Sequence, residues 1–140
     1  MKYNQFDKLL TEMSDNNYSD DYFYDVGVDE VASIIREFTD KDWCLLKENI
    51  VNKNLEYKKK TLYCFDGENK KEFQIILSVI ETGDDELFDI GLDSLRGMID
   101  DTNKDILLAN KKLMNRIESL STNSKGIKTE IYKELSQKLK

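Results

Sequence analysis

The chain contains no proline and no histidine. At average usage a chain of 140 residues would include about seven prolines. Because proline ends helices and marks many turns, its absence favours a helical chain. Histidine is the commonest general base and the commonest metal ligand, and its absence removes every Ser-His and Cys-His nucleophile pair. The lack of histidine therefore argues against catalysis.

Long apolar stretches and cysteines are also scarce. No run of about 18 apolar residues occurs, so the sequence predicts no membrane-spanning helix. Residues 1–7 lack the apolar stretch of a signal peptide. The two cysteines, Cys44 and Cys64, lie inside apolar helical patterns. This placement favours two buried thiols in a cytoplasmic protein over one disulfide in a secreted domain.

The sequence motifs that hold phosphates and metal ions are missing. Gly91 and Gly97 do not have the spacing of a glycine-rich phosphate loop. A calcium loop that starts at Asp15 would place Asp20 where glycine is needed and Val26 where glutamate is needed. Two cysteines are too few for structural zinc. Paired carboxylates stay open as a catalytic device, but with 28 acids in the chain such pairs arise by chance. We therefore expect no enzyme activity, no metal, no cofactor and no small-molecule substrate.

The net charge of −7 is distributed unevenly along the chain. Residues 12–42 carry a net charge of −8 and residues 81–105 carry −7, whereas residues 106–140 carry +5. An acidic surface argues against direct nucleic-acid binding, which needs cationic groups. It suits a basic protein partner. The alternative is that the acids serve solubility alone.

Apolar residues follow the 3.6-residue period of an α-helix through most of the chain. We expect seven or eight helices with short connections, which join antiparallel neighbours. The predicted fold class is all-α: a single helical domain over residues 1–140, built as an irregular stack of antiparallel helices with the HEAT-like character of an α-solenoid. The expected helices cover about residues 2–13, 29–38, 40–52 and 70–82, with others around 55–65, 88–99, 106–120 and 127–139.

Several residues are placed to begin or end these helices. Thr39 is a candidate N-cap, and Asp42 three residues later makes a weak capping box. Gly83 suits a left-handed C-cap, and Asp84 can N-cap the helix that follows. Gly91 lies on the apolar stripe of that helix, where it would let a neighbouring helix approach closely. The next helix, capped by Thr102 or Asn103, is expected to turn inward Ile106, Leu107, Asn110, Leu113, Met114, Ile117 and Leu120.

The strongest candidate binding surface is a run of acids that we call the acidic ridge: Asp85, Glu86, Asp89, Asp93, Asp100 and Asp101. Two of them, Asp85 and Glu86, lie in the first turn of a helix, where the helix dipole favours negative charge. Asp89 and Asp93 are too far along to gain from the dipole, and like charges four residues apart destabilise a helix. The ridge is therefore predicted to face a basic partner, with an ordinary solvated helix face as the alternative.

A second candidate surface lies in residues 18–25, where aromatic residues are mixed with acidic ones. Tyrosine gives a large contact area at low entropic cost, so such segments are typical of interface anchors. The alternative is that Tyr22 or Phe23 fills the core while the rest is solvated. Trp43 is expected in the core. The partner-binding residues predicted in this segment are Asp20, Asp21, Tyr22, Tyr24 and Asp25.

One part of the sequence resembles a known group of proteins. The stretch Glu72-Phe73-Gln74-Ile75-Ile76-Leu77, followed by Gly83-Asp84-Asp85-Glu86-Leu87-Phe88 and Leu95-Arg96-Gly97-Met98, is similar to the helix–Gly-Asp–helix step of HEAT-like immunity families. With its small size and acidity, the chain resembles the immunity proteins of bacterial contact-dependent growth inhibition and related polymorphic toxin systems. This resemblance implies tight one-to-one binding to a cognate toxin, often a cationic nuclease. It carries over no functional residues.

We therefore expect a cytoplasmic immunity protein that binds and neutralises a basic toxin domain, with a nuclease as the expected toxin, through an acidic helical surface. Two other classes of protein fit the same sequence. One is a helical scaffold or adaptor in a cytoplasmic assembly, and the other is an acidic inhibitor that mimics DNA. Stable one-to-one binding to a small basic protein would favour the immunity protein, and self-association would favour the scaffold.

Overall fold

The computed structural model of the chain is all-helical. It describes residues 1–14, 23, 27–67, 69–81, 85–123, 133 and 137. Within these ranges there is no β-strand, and no helix is long and apolar enough to cross a membrane. The described helices are α1 (Lys2–Ser14), α2 (Val28–Ile35), α3 (Asp40–Ile50), α4 (Leu55–Cys64), α5 (Lys70–Glu81), α6 (Asp85–Arg96), α7 (Lys104–Ala109) and α8 (Lys111–Asn123). The all-α prediction is confirmed.

The chain divides into two compact units, Met1–Gly91 and Leu92–Lys140, and the division falls inside α6. In the first unit α1 contacts α2, α3 and α4, while α2 contacts α4 and α3 contacts α5. In the second unit α7 contacts α8. The single domain and the HEAT-like stacking stay predictions.

The core of the first unit is built on one face of α1 and a group of aromatic rings. Tyr3, Phe6, Leu10 and Met13 recur every three or four residues and are all buried, as their spacing predicts. The Phe6 ring meets the Phe38 ring edge-on at 5.5 Å and the Tyr57 ring at 6.2 Å. Such pairs contribute about 0.5–1.5 kcal/mol beyond their buried area. Aromatic contacts thus join α1 to the segments that follow it.

Trp43 continues this aromatic group, and its predicted place in the core is confirmed, with 3% of its surface exposed. Its ring lies 5.1 Å from the Phe38 ring and 6.0 Å from the Phe65 ring. The buried Nε1–H of Trp43 has no hydrogen-bond partner among the described residues. Trp43 also lines a cavity that is described below.

The predicted capping box at the start of α3 is present. The Thr39 hydroxyl accepts the backbone N–H of Asp42, and the Asp42 carboxylate accepts the backbone N–H of Thr39 at 2.9 Å. Each bond satisfies a donor that the start of the helix would leave unpaired. Asp42 is itself buried, which the sequence alone did not indicate.

The predicted close approach between helices at Gly91 is present. A Cβ atom added at Gly91 would overlap Cγ2 of Ile80 on α5. Both residues belong to the first unit. The missing side chain therefore lets α6 lie directly on α5, which offsets the cost of glycine inside a helix.

The helix predicted around 106–120 is broken in two, which corrects the expectation of one continuous element. Asn110 leaves the helical conformation, with φ −86° and ψ 90°, and its side-chain oxygen accepts the backbone N–H of Leu113 at 3.1 Å. Asn110 is thus the N-cap of α8 instead of an inward residue, because asparagine bonds its own backbone more readily than it continues a helix. Leu107, Leu113 and Ile117 are buried as expected, but Ile106 is 55% exposed.

The two cysteines differ from each other, and neither forms a disulfide. Cys64 is buried, as predicted, and burial raises the pKa of its thiol to about 12. Cys44 is exposed, which corrects the expectation of two buried thiols. The buried stripe of α3 is Trp43, Leu46 and Ile50, and successive residues of a helix are turned by about 100°. A residue directly after Trp43 therefore points away from that stripe.

Some predicted elements lie outside the described residues. These are the caps at Gly83 and Asp84 and most of the basic segment around 127–139, in which only Lys133 and Gln137 are described. They stay predictions.

Candidate functional site

In α6 the four ridge acids lie away from the apolar side of the helix. Leu87 and Phe88 in the first unit and Leu92 and Leu95 in the second are buried. The acids between them are differently placed: Asp85, Glu86 and Asp93 are exposed and Asp89 is half-buried. The amphipathic pattern predicted from the sequence is therefore present along the whole helix.

Glu86 is held by a lysine of a neighbouring helix. Its carboxylate lies 3.0 Å from Nζ of Lys59 on α4, and the same ammonium lies 3.3 Å from Glu56. The hydrogen bond that Lys59 donates to Glu86 has the largest effect on the pKa of Lys59 and raises it above its ordinary value. The hydrogen bond to Glu56 raises this pKa further, whereas burial lowers it. Glu86 thus ties α6 to α4 and is partly neutralised.

The other ridge acids of α6 also have partners. Asp93 forms an ion pair with Arg96 at 2.8 Å, one helical turn along. Asp85 and Asp89 take part in further interactions within the chain. Because exposed ion pairs contribute only about 0–1 kcal/mol, a partner's arginine or lysine can replace such contacts at little cost. The Asp93–Arg96 contact on α6 is therefore weakly held.

Asp100 and Asp101 lie in the turn before α7 and behave differently from each other. The Asp100 carboxylate accepts the backbone N–H groups of Thr102 and Asn103, both at 2.9 Å, and the Thr102 hydroxyl. This is the hydrogen-bond pattern of an Asx turn, so Asp100 shapes the chain locally. Asp101 is exposed. Asn103 is the predicted N-cap of α7, but its side chain makes no capping bond and instead bonds Asp100 and Met98.

In residues 18–25 the structure describes Phe23 alone. Phe23 is fully buried, and Nζ of the buried Lys60 lies 5.5 Å from the centre of its ring. The alternative in which an aromatic residue of this segment fills the core is therefore confirmed for Phe23. The predicted partner-binding residues of this segment lie outside the described residues and stay predictions: Asp20, Asp21, Tyr22, Tyr24 and Asp25.

Sequence analysis missed a polar cavity in the first unit. The cavity has a volume of about 160 Å³ and lies beside Trp43, with residues of α2, α4 and α5 around it. Its polar lining comes from Arg36, Asp66, Asn69 and Glu72. Nε of Arg36 and the Asp66 carboxylate are 3.7 Å apart. The cavity thus combines an aromatic wall with charges of both signs.

Glu72 is the most unusual side chain in this cavity, because its carboxyl is only 1% exposed. One of its oxygens accepts the backbone N–H of Gly67 at 2.9 Å, and the other accepts that of Asp66 at 3.4 Å. Burial raises the pKa of Glu72 to about 7, and the negative charge of Asp66 adds to this effect against the backbone hydrogen bonds. No lysine or arginine among the described residues forms an ion pair with it.

The sequence held a signal for Glu72. Its position precedes Ile75, Ile76 and Val79 by three, four and seven residues, so a carboxyl lies on the buried stripe of α5. A charged residue on such a stripe is uncommon because burying it is costly. The other part of the cavity site, the turn at Asp66 and Gly67, is not indicated by any comparable feature of the sequence. Gly67 adopts a positive φ of 82°, which glycine allows.

Neither candidate surface has the composition of a metal centre. Within the described ranges no group of three or more His, Cys, Asp or Glu side chains is arranged to hold a metal ion. Comparison of the chain with protein-family models, with curated proteins and with solved structures found no match in any of the three.

Proposed function

We propose that this chain is an immunity protein, which binds a basic toxin domain in a one-to-one complex and neutralises it through the acidic ridge. The complex forms in the cytoplasm, and a cationic nuclease domain is the toxin that suits the charge. The observation that carries the proposal is the division of α6 into a buried apolar side and an outward row of acids. Such a row provides the complementary potential that steers a basic partner.

The placement of Asp89 and Asp93 supports a binding role over a purely structural one. Both lie beyond the first turn of α6, so neither is stabilised much by the helix dipole. Acids four residues apart destabilise a helix by about 0.2–0.5 kcal/mol per pair. Attraction between these acids and a cationic partner offsets that cost in the complex.

The test is a variant in which Asp85, Asp89 and Asp93 are replaced together by asparagine. Glu86 stays, because its contact with Lys59 holds α6 on α4. We expect the association rate with a cognate basic toxin domain to fall, most strongly at low salt, because steering depends on long-range attraction. The free energy of unfolding should change little, because the removal of like-charge repulsion offsets the loss of the Asp93–Arg96 ion pair.

A matched control removes the same charge elsewhere. Glu12, Glu30 and Glu48 are exposed on α1, α2 and α3, and their replacement by glutamine changes the net charge equally. This control should bind almost as fast as the original chain and should still protect cells that express the toxin domain. An equal decrease of the association rate in both variants would mean that net charge, and not the ridge, controls binding. Full protection by the ridge variant would contradict the proposal.

One observation favours a second candidate, a helical adaptor. Ile106 and Leu108 of α7 are exposed apolar side chains, and such side chains mark contacts with other chains where they form a contiguous patch. An adaptor of this kind would self-associate or join larger assemblies. Light scattering of the Ile106→Gln, Leu108→Gln variant beside the original chain tests this, since a monomeric original chain argues against it.

A further inference from the structure

The cavity beside Trp43 has the features of a binding site that the acidic ridge does not include. We propose that it binds an organic cation, a primary ammonium or guanidinium group, which pairs with the Glu72 carboxylate. The proposal concerns residues of the first unit alone and stands independently of the ridge.

The size of the cavity limits what can enter. Its volume is about 160 Å³, and a cavity of about 150 Å³ holds a molecule the size of benzene. A guanidinium or alkylammonium group fits that space, whereas a nucleotide or a folded peptide does not. The ligand is therefore a small cation or the end of a single long side chain.

The negative charge of the carboxylates in the cavity lining favours a cationic ligand. Glu72 is almost fully buried, and its carboxylate accepts the backbone N–H groups of Asp66, Gly67 and Asn69. The two carboxylate oxygens together have about four lone-pair sites, so Glu72 can accept a further hydrogen bond. Buried charges in proteins are ordinarily paired, and Glu72 has no cationic partner among the described residues. The ligand supplies the missing positive charge, and the nearby Asp66 carboxylate adds to the attraction.

Trp43 provides a second reason for a cation. Tryptophan is the aromatic side chain that attracts ammonium and guanidinium groups most strongly, and Trp43 is part of the cavity lining. Its buried Nε1–H also lacks an acceptor among the described residues. A ligand with a carbonyl oxygen near its cation can satisfy this donor as well.

Arg36 is the internal competitor for the same site. Its side chain is 66% exposed, and its Nε lies 3.7 Å from the Asp66 carboxylate. Arg36 therefore lies at the rim and reduces the negative potential that a ligand meets. Replacement by glutamine removes a repelling charge, so Arg36→Gln should bind the cation more tightly than the original chain.

The protonation of Glu72 gives the binding a pH signature. The charged and titratable groups around it are Arg36 and Asp66 at the rim and Cys64 on α4, and burial raises the pKa of Cys64 so that its thiol stays neutral. The pKa of Glu72 itself is about 7. A cation binds the ionised form, so affinity should rise about tenfold from pH 6 to pH 8, with release of a proton at the lower pH.

The experiment uses Trp43, the only tryptophan of the chain, as the reporter. Its fluorescence is followed while methylguanidinium chloride is added to the full chain at pH 6, 7 and 8, with urea as the neutral analogue and sodium chloride as the salt control. We expect a saturable change with methylguanidinium alone, stronger at pH 8. Glu72→Gln should abolish the response and Glu48→Gln, an exposed acid on α3, should keep it.

A second variant covers the case in which Glu72→Gln does not fold. Asp66→Asn keeps the backbone N–H that Glu72 accepts, and it should weaken binding several-fold without loss of helical signal in circular dichroism. A response that is unchanged by pH and persists in Asp66→Asn would overturn the proposal. The absence of a saturable response to methylguanidinium in the original chain would overturn it equally.

The same titration with acetyl-arginine-amide identifies the source of the cation. Tighter binding than methylguanidinium supports the proposal and points to an arginine side chain of a polypeptide. Equal binding supports it and points to a free small molecule. None of these variants changes a ridge residue, so this proposal and the proposed function can fail separately.

Discussion

The carboxylate of Asp42 accepts the backbone N–H of Tyr3 at 3.0 Å, although the two residues lie 39 positions apart in the chain. Asp42 also accepts the backbone N–H and the hydroxyl of Thr39, both at 2.9 Å. One buried side chain therefore caps α3 and at the same time satisfies a donor at the start of α1. Burial alone raises the pKa of Asp42, but the hydrogen bonds from Thr39 and Tyr3 outweigh it and hold the pKa below its ordinary value.

The replacement Asp42→Asn should destabilise the fold, because it removes the charge from an acceptor of three hydrogen bonds. Loss of such bonds to a charged group costs about 1.5–3 kcal/mol. The measurement is chemical denaturation at pH 7. Asp40→Asn is the matched control, since Asp40 lies exposed in the same helical turn, and its effect should stay within about 0.5 kcal/mol. Equal effects of the two replacements would contradict the structural role of Asp42.

Glu72 should make the stability of the chain depend on pH between about 4 and 7. Its pKa in the folded state is about 7, against about 4.3 in the unfolded chain. The folded state therefore binds more protons across this interval, so the free energy of unfolding falls as pH rises, by roughly 2–3 kcal/mol. Denaturation at pH 5 and pH 8 measures the change. In Glu72→Gln this particular decrease should be absent, and a decrease of unchanged size would show that other groups cause it.

Gly91→Ala should be destabilising, because the new methyl group would overlap Cγ2 of Ile80. Overpacking of this kind costs about 1–3 kcal/mol. Gly97→Ala is the control: the nearest atom to a Cβ at that position is 3.9 Å away and φ is not positive, so alanine should be neutral or stabilising by up to about 1 kcal/mol. Thermal unfolding of both variants measures the contrast, and a stabilised Gly91→Ala would disprove the close approach of α5 and α6.

The replacement Asn110→Ala tests whether the helix is broken at Asn110 or continuous through it. With Asn110 as the N-cap of α8, alanine should destabilise the chain by about 0.5–2 kcal/mol. In a continuous helix the same replacement would be stabilising, because alanine is the better helix former. The sign of the change in the free energy of unfolding thus decides between the two. Asn115→Ala, at an exposed position inside α8, is the control and should be neutral or stabilising.

Much of the local structure was predictable because it depends on residues close together in the sequence. The stripe of Tyr3, Phe6, Leu10 and Met13 repeats with the helical period, and the Thr39–Asp42 capping box spans a single turn. The break at Asn110 was missed although it is also local. Apolar residues continue on both sides of Asn110, and their period outweighed the capping tendency of asparagine.

The candidate sites also differ in whether they depend on residues close together in the sequence. The acids of α6 were predictable because their spacing is visible in the sequence, but the partner of Glu86, Lys59, lies on another helix. The cavity at Glu72 was missed because its lining comes from α2, α3, α4 and α5. No short stretch of sequence contains those residues together.

The sequence by itself determined the helical class, the amphipathic faces and the uneven charge, since composition and periodicity act over a few turns of chain. Only the tertiary structure decided that Asp42 joins α1 to α3, that Gly91 faces Ile80, and that Glu72 is buried without a cationic partner in the described part of the chain. The physical reason is that burial and ionic pairing depend on which helices meet. That choice is made by the combined shape and polarity of several faces at once, which no single helix specifies.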